Sequence, residues 1–249
     1  MRSRKIQRAI KETFPKLSWE DFERYSSEYE SRHYRMMTYK NVDGRERLAQ
    51  NCLNFLLRTL LRSRLLYLDI VTEINESQMI AAFLSTRAHF ESTGSIGYFS
   101  KYFRAYLKKD SRLEGLDKIL RSLSLGGKTF PPKEKEPNRP DTVNVLTQID
   151  AADQIFHEIS KGEKIKPFRD IYDFLSEFCH PNWAGLSFGI KLGESGVVEF
   201  LEDSNWEEGD LFQIVNGVCI STRFFMFLYD TAFKNMMSTF PFLLTQLQK

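Results

Sequence analysis

The chain has 249 residues, 42% hydrophobic and 27% charged, with a formal net charge of +2. That is enough chain for one large core, and near-neutrality excludes a protein organised around bulk attraction to a polyanion. Cys52, Cys179 and Cys219 are an odd number, far apart and without a C-x-x-C, which excludes a disulfide framework and fits a reducing, cytoplasmic setting. The basic N-terminus lacks a following apolar run, and no stretch reaches the roughly 18 uncharged apolar residues of a membrane span. No membrane partner is therefore expected.

Residues 1–42 are polar and read as an N-terminal helical appendage, with "KIQRAIKETF" and "SWEDFERYSSEY" as short helices and Ser18 as N-cap of the second. Residues 43–249 read as a single bundle. Leu48, Cys52, Phe55, Leu56 and Leu60 recur at helical spacing and predict a helix from Arg45 to about Val71. A second long helix is predicted from about Glu76 to Lys109, running through Gly94 and Gly97, and "SRLEGLDKILRSLSL" is a shorter one. Residues 125–141, with their prolines and glycines, form an exposed loop. Val145 to Ile159 and Phe168 to Cys179 give two more amphipathic helices. Residues 186–202 alternate around a Gly-bounded turn and predict one β-hairpin. Asp210 with Gln213 resembles a capping box, and Leu211 to about Met236 is apolar nearly all round, so that helix is central. The expected fold is mainly α: an up-down helical bundle with one β-hairpin inserted before the last core helix.

Positive charge clusters at Arg2, Arg4, Lys5, Arg8, Lys11 and Lys16, at Arg58, Arg62 and Arg64, and at Arg104, Lys108, Lys109 and Arg112. Each cluster reads either as a phosphate-contacting patch or as a solvated helix face. On the second long helix, Ile80, Arg87, Gly94 and Tyr98 fall within about 20° of one line, with Glu91 about 40° away. Arg87 thus lies on the apolar stripe and needs a partner, which Glu91 at i+4 supplies. This pair is either a structural anchor or part of a binding site. His89 points about 160° from Arg87 by the same geometry. His180 ends its helix at Pro181, with Ser176 one turn earlier on the same side. It caps the helix end or joins Arg87 and Glu91 in an inward polar cluster. Those three are the candidate catalytic residues, with Ser176 and Tyr98 as candidate binding residues. Glu30-x-x-His33 and Glu177-x-x-His180 match a di-iron spacing, but too few further carboxylates accompany them. No metal or other cofactor is expected. There is no P-loop, G-x-G-x-x-G, G-x-S-x-G or H-E-x-x-H.

A bundle with Arg87-x-x-x-Glu91 on one long helix, followed by "YDFLSEFCHPN" with Leu175, Ser176 and His180, resembles the HEPN-like helical proteins of bacteria. The likeness is to the branch lacking the Arg-x4-6-His motif of the ribonucleases, since Leu175, Phe174 and Asp173 hold the places where that arginine would stand. It covers roughly residues 45–235. It implies a four- or five-helix bundle that self-associates, with RNA or a nucleotide as partner and a role in bacterial defence or stress response. Binding or regulation is the expected role. The alternative it implies is a metal-independent endoribonuclease using His180 as general acid/base and Arg87 for phosphate charge.

Overall fold

The computed structural model describes residues 19–109, 112–126, 140–160, 165–187, 190–193, 196–200 and 208–249. In chain order the elements are α1 (Trp19–Arg32), β1 (Met36–Met37), α2 (Gly44–Asn75), α3 (Met79–Leu107), α4 (Leu113–Leu125), α5 (Val145–Ser160), α6 (Pro167–Cys179), α7 (Trp183–Ser187), β2 (Ile190–Leu192), β3 (Val198–Phe200), α8 (Glu208–Thr239), a 3-10 turn (Pro241–Gln246) and β4 (Leu247–Gln248). The protein is mainly α, with the expected hairpin before the last long helix. The first expected helix, Ser18, and most of the 125–141 loop lie outside the described residues.

The bundle is arranged around α3, which packs against α2, α4, α5, α6 and α8. A helix contacted from so many sides cannot carry one apolar stripe and one wet face. Its buried residues, Phe83, Thr86, His89, Phe90, Thr93, Gly94, Ile96, Gly97, Phe99 and Phe103 among them, lie all around it. The small residues set how closely neighbours approach. A Cβ on Gly97 would sit 3.0 Å from the Ala152 Cα, and one on Gly94 would sit 3.0 Å from the Ile149 backbone nitrogen. These two glycines therefore serve the α3–α5 contact.

α8 is already helical at Glu208, so Asp210 lies in its first turn. From Gly209 to Thr239 it is long and apolar enough to cross a membrane, yet 67% of its most apolar window is buried inside the bundle. The N-terminal segment does more than lie on the core. Phe22, Tyr25 and Tyr29 of α1 are buried, β1 pairs antiparallel with β4, and Arg32 holds Asp230 of α8 through two 2.8 Å hydrogen bonds. Period-3.6 spacing of those aromatics was visible in "DFERYSSEYE", but its polar composition masked it.

At the other end, α6 starts on Pro167 and stops at Cys179, where His180 adopts extended backbone before Pro181. Its free N-terminal donors are met from another helix. Buried Asp153 of α5 accepts from the Phe168 and Arg169 backbone N–H groups at 3.0 and 2.9 Å.

Candidate functional site

On α2, Phe55, Arg58, Thr59 and Arg62 follow the i, i+3, i+4, i+7 spacing and share one face. Opposite them α3 presents Glu91, Ser92 and Ser95, and Leu123 and Ser124 of α4 with Val145 and Gln148 of α5 close the ends. The result is a groove of about 410 Å³. Arg62 Nε donates to Ser92 Oγ at 3.1 Å, while its outer nitrogen stands 3.9 Å from Glu91, beyond hydrogen-bond range. Arg58 is exposed, and among the described residues its guanidinium has no hydrogen bond or ion pair. Arg64, two positions beyond Arg62, is turned away and binds Glu30 at 2.7 Å.

Glu91 joins this groove to the cluster read from the sequence. Arg87 approaches Glu91 at 3.7 Å, donates to the Tyr172 hydroxyl at 2.9 Å, and lies over the Tyr172 ring at 5.1 Å. The Tyr172 hydroxyl donates in turn to Glu91 at 3.3 Å. Burial raises the Tyr172 phenol above its ordinary pKa, so the hydroxyl stays protonated and can bridge the two charges. Arg87 and Glu91 are only about one-quarter and one-third exposed, so the pair sits at the rim of the core. Tyr172 was missed as a site residue. As an aromatic on the apolar stripe of α6 it reads as packing, and only its hydroxyl partners show otherwise.

The other candidates are scattered. Tyr98 is buried, its hydroxyl 3.4 Å from that of Tyr102. Ser176 donates to the Tyr172 carbonyl at 2.7 Å, within its own helix. His180 is exposed, and among the described residues its ring makes no hydrogen bond or ion pair. Beside it, the half-buried Cys179 thiol donates to the Leu175 carbonyl. Glu30 is committed to Arg64 and Glu177 to Asn182. Among the described residues no three metal-ligand side chains gather at one point.

The histidine with inward polar partners is His89, a correction to the reading that gave that place to His180. His89 is fully buried. Its Nε2 lies 2.8 Å from both the Tyr29 hydroxyl and Ser63 Oγ, which are 2.6 Å from each other, and its Nδ1 lies 2.7 Å from Ser221 Oγ. Ser221 can give its proton to the Val218 carbonyl at 3.3 Å and so accept from Nδ1–H, leaving Nε2 to accept from one of the two hydroxyls while that hydroxyl accepts from the other. Every group is then satisfied with a neutral ring. Burial, helped by the charge of Arg62, lowers the His89 pKa to about 3. Pointing about 160° from Arg87 does not expose His89, because α3 is packed by neighbouring helices on that side as well.

No protein-family model matches this chain, and no curated protein or solved structure does either.

Proposed function

We propose that the chain is a bacterial cytoplasmic HEPN-like protein of binding or regulatory role, and that its ligand is RNA or a nucleotide gripped by phosphate in the α2–α3 groove. One observation carries this reading: Arg58 and Arg62, one turn apart, flank a concave space of about 410 Å³ with spare guanidinium donors. Planar, permanently charged guanidinium groups suit phosphate oxygens, and the volume lies within the range of small-ligand sites. Thr59, Ser92, Ser95, Ser124 and Gln148 line the same space as neutral partners. Glu91 tempers the attraction. An arriving phosphate competes with it for Arg62, whose contact to Glu91 is long. Since the whole chain carries only +2, the attraction is local to the groove. A part in defence or stress response belongs to the same reading.

Fluorescence anisotropy with a labelled single-stranded RNA, and competition by ATP, test it. The Arg58→Ala/Arg62→Ala protein should bind at least about tenfold more weakly, a loss of about 1.4 kcal/mol. Arg64→Ala should stay within about twofold, because that side chain faces Glu30. Absence of RNA and nucleotide binding by the wild-type protein at millimolar ligand overturns the proposal.

A second reading, the metal-independent endoribonuclease, is favoured by the 2.9 Å hydrogen bond from Arg87 to Tyr172 of α6, the helix that ends at His180. Cleavage of labelled RNA in EDTA that His180→Ala abolishes would replace binding with catalysis.

A further inference from the structure

We propose that the apolar face of the β2–β3 hairpin is a self-association surface, and that its occupant is the same face of a second copy of this chain. The register pairs Ile190 with Phe200, Lys191 with Glu199 and Leu192 with Val198. Alternation then places Ile190, Leu192, Val198 and Phe200 on one side of the ribbon and the two charged residues on the other. That apolar side is open: Leu192 is 72% exposed and Phe200 80%. The short helix α7 just before it leaves Trp183 82% and Leu186 60% exposed. Single exposed apolar residues need no explanation, but so many within eighteen positions do. An isolated two-stranded hairpin is moreover marginal in water, so this one gains order from a cover.

Area and charge argue for a second copy as that cover. Burying Trp183 and Leu186 together with Ile190, Leu192, Val198 and Phe200 would remove roughly 800 Å² per protomer, the share one partner contributes to a standard interface. The apolar face carries no charge among the described residues, and on the reverse face Lys191 stands across from Glu199. Such a surface offers nothing to an anionic bilayer or a nucleic acid, which select for positive charge. It is suited to an isologous contact, in which one patch meets itself about a two-fold axis. Edge-to-edge pairing about that axis would oppose Lys191 to Lys191, or Glu199 to Glu199. Stacking the two faces about 10 Å apart avoids both like-charge contacts.

Sedimentation velocity of the full-length protein over a concentration series is the test. Wild-type protein should dimerise in the micromolar range or below. Leu192→Glu/Phe200→Glu should raise the dimer dissociation constant at least about hundredfold with an unchanged far-ultraviolet circular dichroism spectrum, and Trp183→Ser/Leu186→Gln should raise it about tenfold. Lys191→Gln, on the outer face, should leave it within about twofold. A wild-type protein that stays monomeric at 100 μM, whether or not it binds neutral or anionic vesicles, overturns the proposal. So does a dimer whose dissociation constant the hairpin substitutions leave unchanged.

Discussion

Acidification provides a direct test of the His89 network. Its imidazole titrates near 6.5 in an unfolded chain and is held at about 3 in the fold. Between those values the unfolded chain binds more protons than the folded one, so this residue makes stability fall as pH falls, by about 1.36 kcal/mol per unit. At pH 4.5, two units below the unfolded value, the loss is about 2.7 kcal/mol. Other groups titrate too: burial pushes the Asp153 carboxyl up to about 6, which acts in the opposite direction. A variant comparison removes them. His89→Gln should cost about 1–3 kcal/mol at pH 7.5, where it disturbs hydrogen bonds to Tyr29, Ser63 and Ser221. Because Gln takes up no proton, the gap between variant and wild type should close by about 2.7 kcal/mol at pH 4.5. Urea unfolding followed by circular dichroism at both pH values reads the difference. Two stability curves that stay parallel would refute a buried, neutral His89.

The α3–α5 contact predicts opposite signs for one kind of substitution. Gly97→Ala pushes a methyl to 3.0 Å from the Ala152 Cα and should lose about 1–2 kcal/mol net of improved helix propensity. Gly115→Ala meets nothing within 4 Å and should gain up to about 1 kcal/mol, both read as shifts in Tm. Asp153→Ala removes the acceptor for the Phe168 and Arg169 N–H groups and should cost about 1–3 kcal/mol, with hydrogen exchange accelerating first at the start of α6.

Much of the architecture was legible because it is written in local periodicity. The leucines of α2, the apolar runs of α5 and α6, and the nearly all-round apolar α8 each declare a helix, and Pro181 marks the end of α6 within a residue. The Arg87–Glu91 pair was legible for the same reason, being one turn apart on a single helix. What was not legible depends on elements distant in sequence. Arg58 and Arg62 could be seen as a basic cluster, but the wall that makes them a groove comes from Ser92, Ser95 and Gln148. Tyr172 gains its role only because α6 lies on α3. His89 needed Tyr29, Ser63 and Ser221 from three other helices. A hint was present in α3 itself, where Thr86, Ser92, Thr93, Gly94, Gly97 and Ser100 mark a helix crowded on many sides. Thr93 and Ser92 return their hydroxyls to the His89 and Ala88 carbonyls, which is how polar residues are tolerated there.

The tie between β1 and β4 joins segments more than two hundred residues apart and fastens α1, and with it Tyr29, over His89. The network is therefore sealed by a tertiary closure, and each opening of α1 admits water to the ring. His89 thereby becomes an internal indicator of that closure: its imidazole resonances should ignore acid while α1 is docked and shift with pH whenever it is released. The segment that reads as the most dispensable in the sequence decides whether the centre of the bundle is dry.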